Sequence, residues 1–241
     1  LGISPVSEQV FAPLRHRGGR AGLAEVFMNC LVLDDDLKAA VTDVVAAAVN
    51  HTDDEGELGE FARTAVLLDE HFPGDPSLLA ALMLTRHTLQ PGEALYLQPG
   101  VLHSYLSGTG VEVMGNSDNV LRGGLTSKHI DPSALAQVVT FTTEPIPAML
   151  PEQELPGLWR YPTDERAFVC WRVDLVPGRM IELPGELSGR ILLATSGEIG
   201  VSQGQDGLVL KHGQAAFLEA GCQAKVSGNG QGFLTATGLD A

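Results

Sequence analysis

Basic residues are scarce in this chain. Its 15 lysines and arginines stand against 30 aspartates and glutamates, for a formal charge of -15. A surface of that sign argues against broad binding to nucleic acid or anionic lipid, both of which attract basic patches. A phosphorylated small molecule would need arginine or lysine brought to it locally. Cysteine is rare as well: Cys30, Cys170 and Cys222 are an odd number without paired metal-type spacing, so reduced thiols in packing roles are expected. No apolar run approaches the roughly 20 residues that a membrane span needs. The start, LGISPVSEQVFAPLRHRGG, lacks the charged-then-apolar pattern of a signal peptide. A cytoplasmic protein with no nucleic-acid or membrane partner is the expectation. What the chain does have is core material, with 44% of its 241 residues hydrophobic and 19% charged, enough for one large or two to three small domains.

The first part reads as helical. DLKAAVTDVVAAAVN, from Asp36 to Asn50, and ELGEFARTAVLLDEH, from Glu57 to His71, carry apolar residues at three and four spacing. Asp34 to Asp36 supply acids at a helix start, and Pro73 to Ser77 stops one helix and caps the next. The acidic group Asp53, Asp54, Glu55, Glu57 and Glu60 reads as a solvated loop and helix N-terminus, where carboxylates interact well with the helix dipole. His16, His51, His71 and His87 are scattered singly, each read as surface or helix-end. Asp131-Pro132 followed by SALAQVV is a further capped helix with proline in its first turn.

From Phe141 the composition changes. Phe168 to Leu175, Arg190 to Thr195, Leu208 to Leu210, Ala215 to Leu218 and Phe233 to Thr237 are short β-type runs separated by Gly, Pro and Asp, the pattern of a small antiparallel barrel or sandwich. Pro145 to Pro156 is a proline-rich connector into it, ordered along a surface and not helical.

The most informative stretch runs from Leu89 to Asp131. Its Pro91-Gly92 and Pro99-Gly100 corners each precede a short apolar or alternating run, as in strands joined by tight turns. Residues two apart in an extended segment share a face, so His103 and Tyr105 project together with Val101. The stretch also has an echo. Leu89 to Gly100 aligns residue for residue with Leu210 to Gly221, which puts Ala224 at the place of His103 and Val226 at the place of Tyr105. A chance match between two hairpins with glycine corners is the competing explanation. Beyond it, Asp118, Arg122 and Lys128 flank Gly123-Gly124, a spacing that lets a loop turn both cations toward one anion. On spacing alone, a surface loop with an Asp-Arg pair is the reading.

The spacing Gly92, Gln98, Pro99-Gly100, His103 resembles the second motif of a cupin. GEALYLQPGVLHSYLSG followed by EVMGNSDNVLRGGLTSK resembles the hallmark region of type I mannose-6-phosphate isomerase (phosphomannose isomerase). That resemblance implies an α+β, mainly β fold of cupin-type double-stranded β-barrels with an inserted α-helical domain. It divides the chain into a helical domain (1–87), the last strands and loop of a catalytic cupin (88–130), and a linking helix with a C-terminal degenerate cupin (131–241). It implies a zinc-dependent aldose-ketose isomerase that interconverts mannose 6-phosphate and fructose 6-phosphate through an enediol. Such a reaction needs a base and an oxyanion stabiliser, with zinc as Lewis acid and template.

Residue by residue, the resemblance makes His103 the last zinc ligand and Tyr105 a wall of the sugar pocket. Arg122 becomes the group that orients or stabilises the enediolate, Asp118 its holder or a proton shuttle, and Lys128 a basic residue of the same pocket. The family's Gln-x-His pair and Asn-His-Lys-Pro-Glu segment occur nowhere from Leu1 to Ala241. One histidine does not hold a catalytic zinc, which keeps three or more protein ligands. The expectation is therefore the C-terminal portion of a longer, monomeric enzyme, inactive by itself. The alternative is a non-catalytic cupin-like module that binds a sugar phosphate through Arg122 and Lys128. A purely structural domain is the third reading.

Overall fold

The computed structural model describes residues 5–31, 34–117, 119–142, 144–184 and 187–238; Asp118 falls outside them. The chain forms two compact units, one made of Leu1–His87, Leu97–Gly108 and Asn119–Pro145, the other of Thr88–Tyr96, Thr109–Asp118 and Ile146–Ala241.

The first unit is helical: α1 (Pro5–Val10), α2 (Ala12–His16), α3 (Gly19–Cys30), α4 (Asp35–Val49), α5 (Gly56–His71), α6 (Ser77–Ala81) and α7 (Pro132–Val138). The starts follow local chemistry. The Asp34 carboxylate accepts the Asp36 amide at 2.8 Å, and that of Asp131 accepts the Ala134 amide at 2.9 Å, each satisfying a first-turn N–H that has no partner within its helix. Val26, Phe27, Cys30, Leu37, Val41, Leu78 and Leu79 bury one core. A second small cluster, Ala48, Ala62 and Ala65, consists of residues small enough for α4 and α5 to pack closely. Burial pushes the Cys30 thiol up to about 12, so it stays protonated and serves as packing, as expected. No described helix is long and apolar enough to cross a membrane.

The second unit is antiparallel β: β1 (Glu152–Leu155), β2 (Leu158–Arg160), β3 (Val169–Leu175), β4 (Met180–Glu182), β5 (Arg190–Gln203), β6 (Asp206–Lys211), β7 (Ala215–Leu218) and β8 (Lys225–Ala236). The long strands β5 and β8 pair along most of their length, and every other strand attaches to one end of that ribbon or the other. At one end β8 pairs β3, which carries β2 and β1, while β5 pairs β7; at the other, β8 pairs β4 and β5 pairs β6. Between the two ends the ribbon register shifts at Ala194/Ser196, a bulge that bends it. Trp171, Val173, Leu192, Ile199, Val201, Val226 and Leu234 from both ends fill a single core. The Arg190 side chain is fully buried there and donates to the carbonyls of Leu183 at 3.3 Å, Pro184 at 3.0 Å and Cys222.

Three expectations are corrected. The sheet is antiparallel, but it is not closed into a barrel: β1 and β6 end its path as open edges. From Thr88 to Ile130 the described residues hold no strand, only the isolated bridge Ala94–Met149. The glycine corners are local and form on their own, whereas a ladder needs a neighbouring chain paired along its length; here the neighbours bond at isolated points, Met149 at Ala94 and Thr140 at Gly100. β5 also runs past the expected end at Thr195. Gly197 there has φ +63, and a Cβ on it would meet the Asn229 carbonyl. Glycine continues the strand where a turn was expected because the two backbones pass too closely for a side chain.

Candidate active site

The site residues stand on segments anchored in the helical core. Leu102 and Leu125 pack against that core beside Phe141, whose ring meets Phe27 edge-on at 5.5 Å. The corner before the site is fixed at Gly100: its carbonyl accepts the Thr140 amide at 2.9 Å, and a Cβ on it would strike the Val138 carbonyl. Leaving that corner, His103 and Tyr105 are both exposed, Tyr105 to 74%. Their rings meet edge-on at 6.2 Å. The His103 Nδ1 lies 3.0 Å from the Val101 carbonyl. If the proton is on Nδ1, it is donated there and leaves Nε2 as the acceptor. The side-by-side placement read from the alternation is therefore present.

The loop carrying Arg122 and Lys128 is held by a residue that the sequence did not point to. The Leu125 amide donates to the Ser77 hydroxyl at 2.8 Å, and Ser77 in turn donates to Asp75 at 2.6 Å. A Cβ on Gly124, at φ +126, would strike the Ser77 side chain. Leu125 itself has φ +46, the single non-glycine left-handed residue described. A bulky side chain in that region costs of order 1–3 kcal/mol and persists where the surroundings enforce it. Here the Ser77 bond and the burial of Leu125 do so. The two segments meet at Gly123, where an added Cβ would sit 3.0 Å from Leu102 Cδ2. The neighbour of Arg122 thus touches the neighbour of His103. Arg122 is half-buried and Lys128 exposed; Asp118 lies outside the described residues. Among the described residues no three metal-ligating side chains converge, so the residues present do not by themselves fit a zinc centre.

The internal echo extends to backbone detail. Gly92 and Gly213 have φ +91 and +78, and Gly100 and Gly221 have φ +87 and +75. The Glu93 amide donates to Gln90 O at 2.9 Å, as Gln214 does to Lys211 O at 2.9 Å. Gln90 N donates to Glu93 Oε2 at 2.7 Å, and Lys211 N to Gln214 Oε1 at 2.9 Å. The bridge Ala94–Met149 answers to the pair Ala215–Leu193. Where the second copy has Ala224 and Val226 fully buried, the first has exposed His103 and Tyr105. Polar groups thus replace core residues at equivalent places.

Within the β unit, Tyr96 makes a contact far away in sequence. Tyr96 donates its hydroxyl to Glu165 Oε2 at 2.8 Å, and the other carboxylate oxygen accepts the Ala167 amide at 2.8 Å. The amide bond first, then the tyrosine, hold the Glu165 carboxyl below its ordinary value. The Tyr96 phenol is raised, first by its bond to Glu165, with Asp164 adding repulsion. A depressed carboxylate stabilises the fold above its unfolded pKa and ceases to as pH falls through the folded value. A raised phenol does so below its own unfolded pKa and ceases to as pH rises through the folded one. The Tyr96 signal in NMR is therefore expected to move once in acid, below the usual glutamate range of about 4.3, and Glu165→Gln should remove that step. Retention of the step in Glu165→Gln would assign it to another group.

No protein-family model matches the chain. Mannose-6-phosphate isomerase of Salmonella typhimurium is 34% identical over 215 residues, 88% of this chain and 52% of that protein. The Escherichia coli enzyme is 32% identical over the same shares. Among solved structures, a phosphomannose isomerase variant from Salmonella typhimurium matches with TM-score 0.78 at 27% identity, covering 98% of this chain and 60% of that one. The same enzyme bound to substrate and zinc matches at 0.76, covering 97% and 59%. The chain spans about half the length of the curated relatives it matches. Over that span the chain is homologous, by sequence and by fold, to mannose-6-phosphate isomerases.

Proposed function

We propose that this chain supplies one wall of the active site of a mannose-6-phosphate isomerase that interconverts mannose 6-phosphate and fructose 6-phosphate through an enediol. The observation that carries this reading is the contact of Gly123 with Leu102, which joins the Arg122 loop to the His103 run. In a chain of charge -15, a phosphorylated sugar requires a local cation, and this loop offers Arg122 and Lys128.

The isomerisation removes a proton from one of C1 and C2 and returns one to the other. The barrier lies in the negative charge that develops on the sugar oxygens. Arg122, a planar guanidinium with several donors, stabilises that enediolate. Asp118 orients Arg122 or relays a proton. Tyr105 lines the sugar and Lys128 holds its anionic end. His103 is the one metal ligand contributed here, which is fewer than a catalytic zinc keeps. Glu112 joins the proposed set on sequence grounds. It precedes Arg122 by the same number of residues as separate the glutamate and arginine replaced by alanine in two of the Salmonella structures.

The 241-residue chain alone, supplied with zinc, is expected to show no isomerase turnover above buffer. Joined to a polypeptide covering the rest of the relatives' length, it should turn over mannose 6-phosphate and incorporate solvent deuterium at C1 or C2. Substantial turnover by the chain alone would mean that the ligands are misplaced. A completed protein that binds the sugar phosphate without turning it over would favour the non-catalytic binding module.

A further inference from the structure

Beneath the Arg122 loop lies a serine whose hydroxyl is committed in both directions. Ser77 is 3% exposed at the first position of α6, and Leu78 and Leu79 beside it are fully buried in the helical core. Asp75 Oδ1 accepts both the Ser77 amide at 2.9 Å and the Ser77 hydroxyl at 2.6 Å. With its proton directed at that carboxylate, the hydroxyl oxygen turns a lone pair to the Leu125 amide, which donates to it at 2.8 Å. Asp75 is seated in turn by its neighbour Gly74, whose amide donates to Asp69 of α5 at 2.9 Å. Leu125, at φ +46, sends its N–H to Ser77 and its side chain into the helical core. Rotation about N–Cα to an ordinary φ would swing one of these away from the other, so the turn keeps both in its left-handed form. The two preceding residues close on the same support, Gly123 on Leu102 and Gly124 on Ser77. Arg122 is the next residue back, and its backbone therefore starts from a fixed point.

We propose that Asp75 and Ser77 are positioning residues for Arg122: together they hold the left-handed turn at Leu125, and the turn sets where the guanidinium stands. Neither residue is given a contact with the sugar. The catalytic consequence rests on the reading of Arg122 as the enediolate stabiliser, whereas the claim about the turn rests on the bonds and the dihedral alone.

Amide exchange and NMR of the 241-residue chain read the turn. Ser77→Ala is expected to speed exchange of the Leu125 amide by roughly tenfold, the effect that loss of one hydrogen bond supports. The backbone shifts of Leu125 should leave the left-handed range and those of Arg122 should move with them, while the amides of α4 and α5 stay as they are. Ser77→Cys keeps the side chain's size and offers a weaker acceptor. It should show the same changes at smaller amplitude, and it carries the test if Ser77→Ala does not fold. In a Leu125→Gly background, where the left-handed form has no steric cost, Ser77→Ala should barely move Arg122. An unchanged Leu125 amide, unmoved Arg122 shifts, or an equal rise in exchange across the helical unit would overturn the proposal. In the completed isomerase Ser77→Ala should lower kcat by roughly ten- to a hundred-fold, the scale of loss when a catalytic group is misplaced, with KM little changed. It should add almost nothing to Arg122→Ala, because both act through one group; full additivity would overturn the positioning role. If Arg122→Ala itself leaves turnover intact while the exchange result holds, the enediolate reading fails and the claim about the turn stands.

Discussion

Arg122→Ala in the completed isomerase is expected to lower turnover roughly a hundred- to a thousand-fold, the usual loss when one preorganised donor to a developing oxyanion is removed. Little loss of fold should accompany it. Arg122 is half-buried on a loop whose shape comes from other residues: the Ser77 bond to Leu125, the close fit of Gly124 on Ser77, and Leu125 in the helical core. The split between kinetic constants is the informative part. If the guanidinium acts mainly on the enediolate, kcat falls and KM moves little; if it only holds the phosphate, KM rises and kcat survives. Arg122→Lys should recover little, since a point charge does not reproduce the planar fork. Turnover within a few-fold of the parent would remove Arg122 from the mechanism.

Trp171→Ala is expected to destabilise the β unit by about 3–5 kcal/mol, the range for deleting a large aromatic from a packed core. Trp171 is 1% exposed in the middle of β3, flanked by Leu158, Val173 and Leu234 in the shared core. Its indole N–H donates to Glu154 at 2.9 Å, which ties β1 to the same point. Trp171→Phe should lose less, because the ring volume is largely kept and only the Glu154 bond is broken. Denaturant unfolding followed by fluorescence reads this well, since the chain has two tryptophans, Trp159 and Trp171, and the variant's signal comes from Trp159 in the same sheet. A change below about 1 kcal/mol would mean that the core closes over the gap, contrary to interior packing of ordinary density.

What was legible in the sequence was what short-range chemistry decides. Asp34 and Asp131 announced their helices because the capped amides lie two and three residues away. His103 and Tyr105 could be placed side by side because alternation in an extended chain is a property of the backbone alone. Strand ends were harder. Gly197 looked like a terminator and is a point of close approach between β5 and β8, a partner visible in space only. The closed barrels came from the family resemblance, and the strands expected between residues 89 and 131 came from glycine corners, which form locally where ladders do not. Ser77 is 48 residues from Leu125, and Glu165 is 69 from Tyr96. No periodicity links either pair, so neither contact gave a signal in the sequence.

The most direct test of the account is a titration of the chain with fructose 6-phosphate, followed through the backbone and side-chain resonances of His103, Tyr105, Arg122 and Lys128. Shifts in all four with one common affinity, weakened by Arg122→Ala, are what a shared sugar-phosphate site predicts. Saturable binding that leaves these four silent and moves signals elsewhere would contradict it.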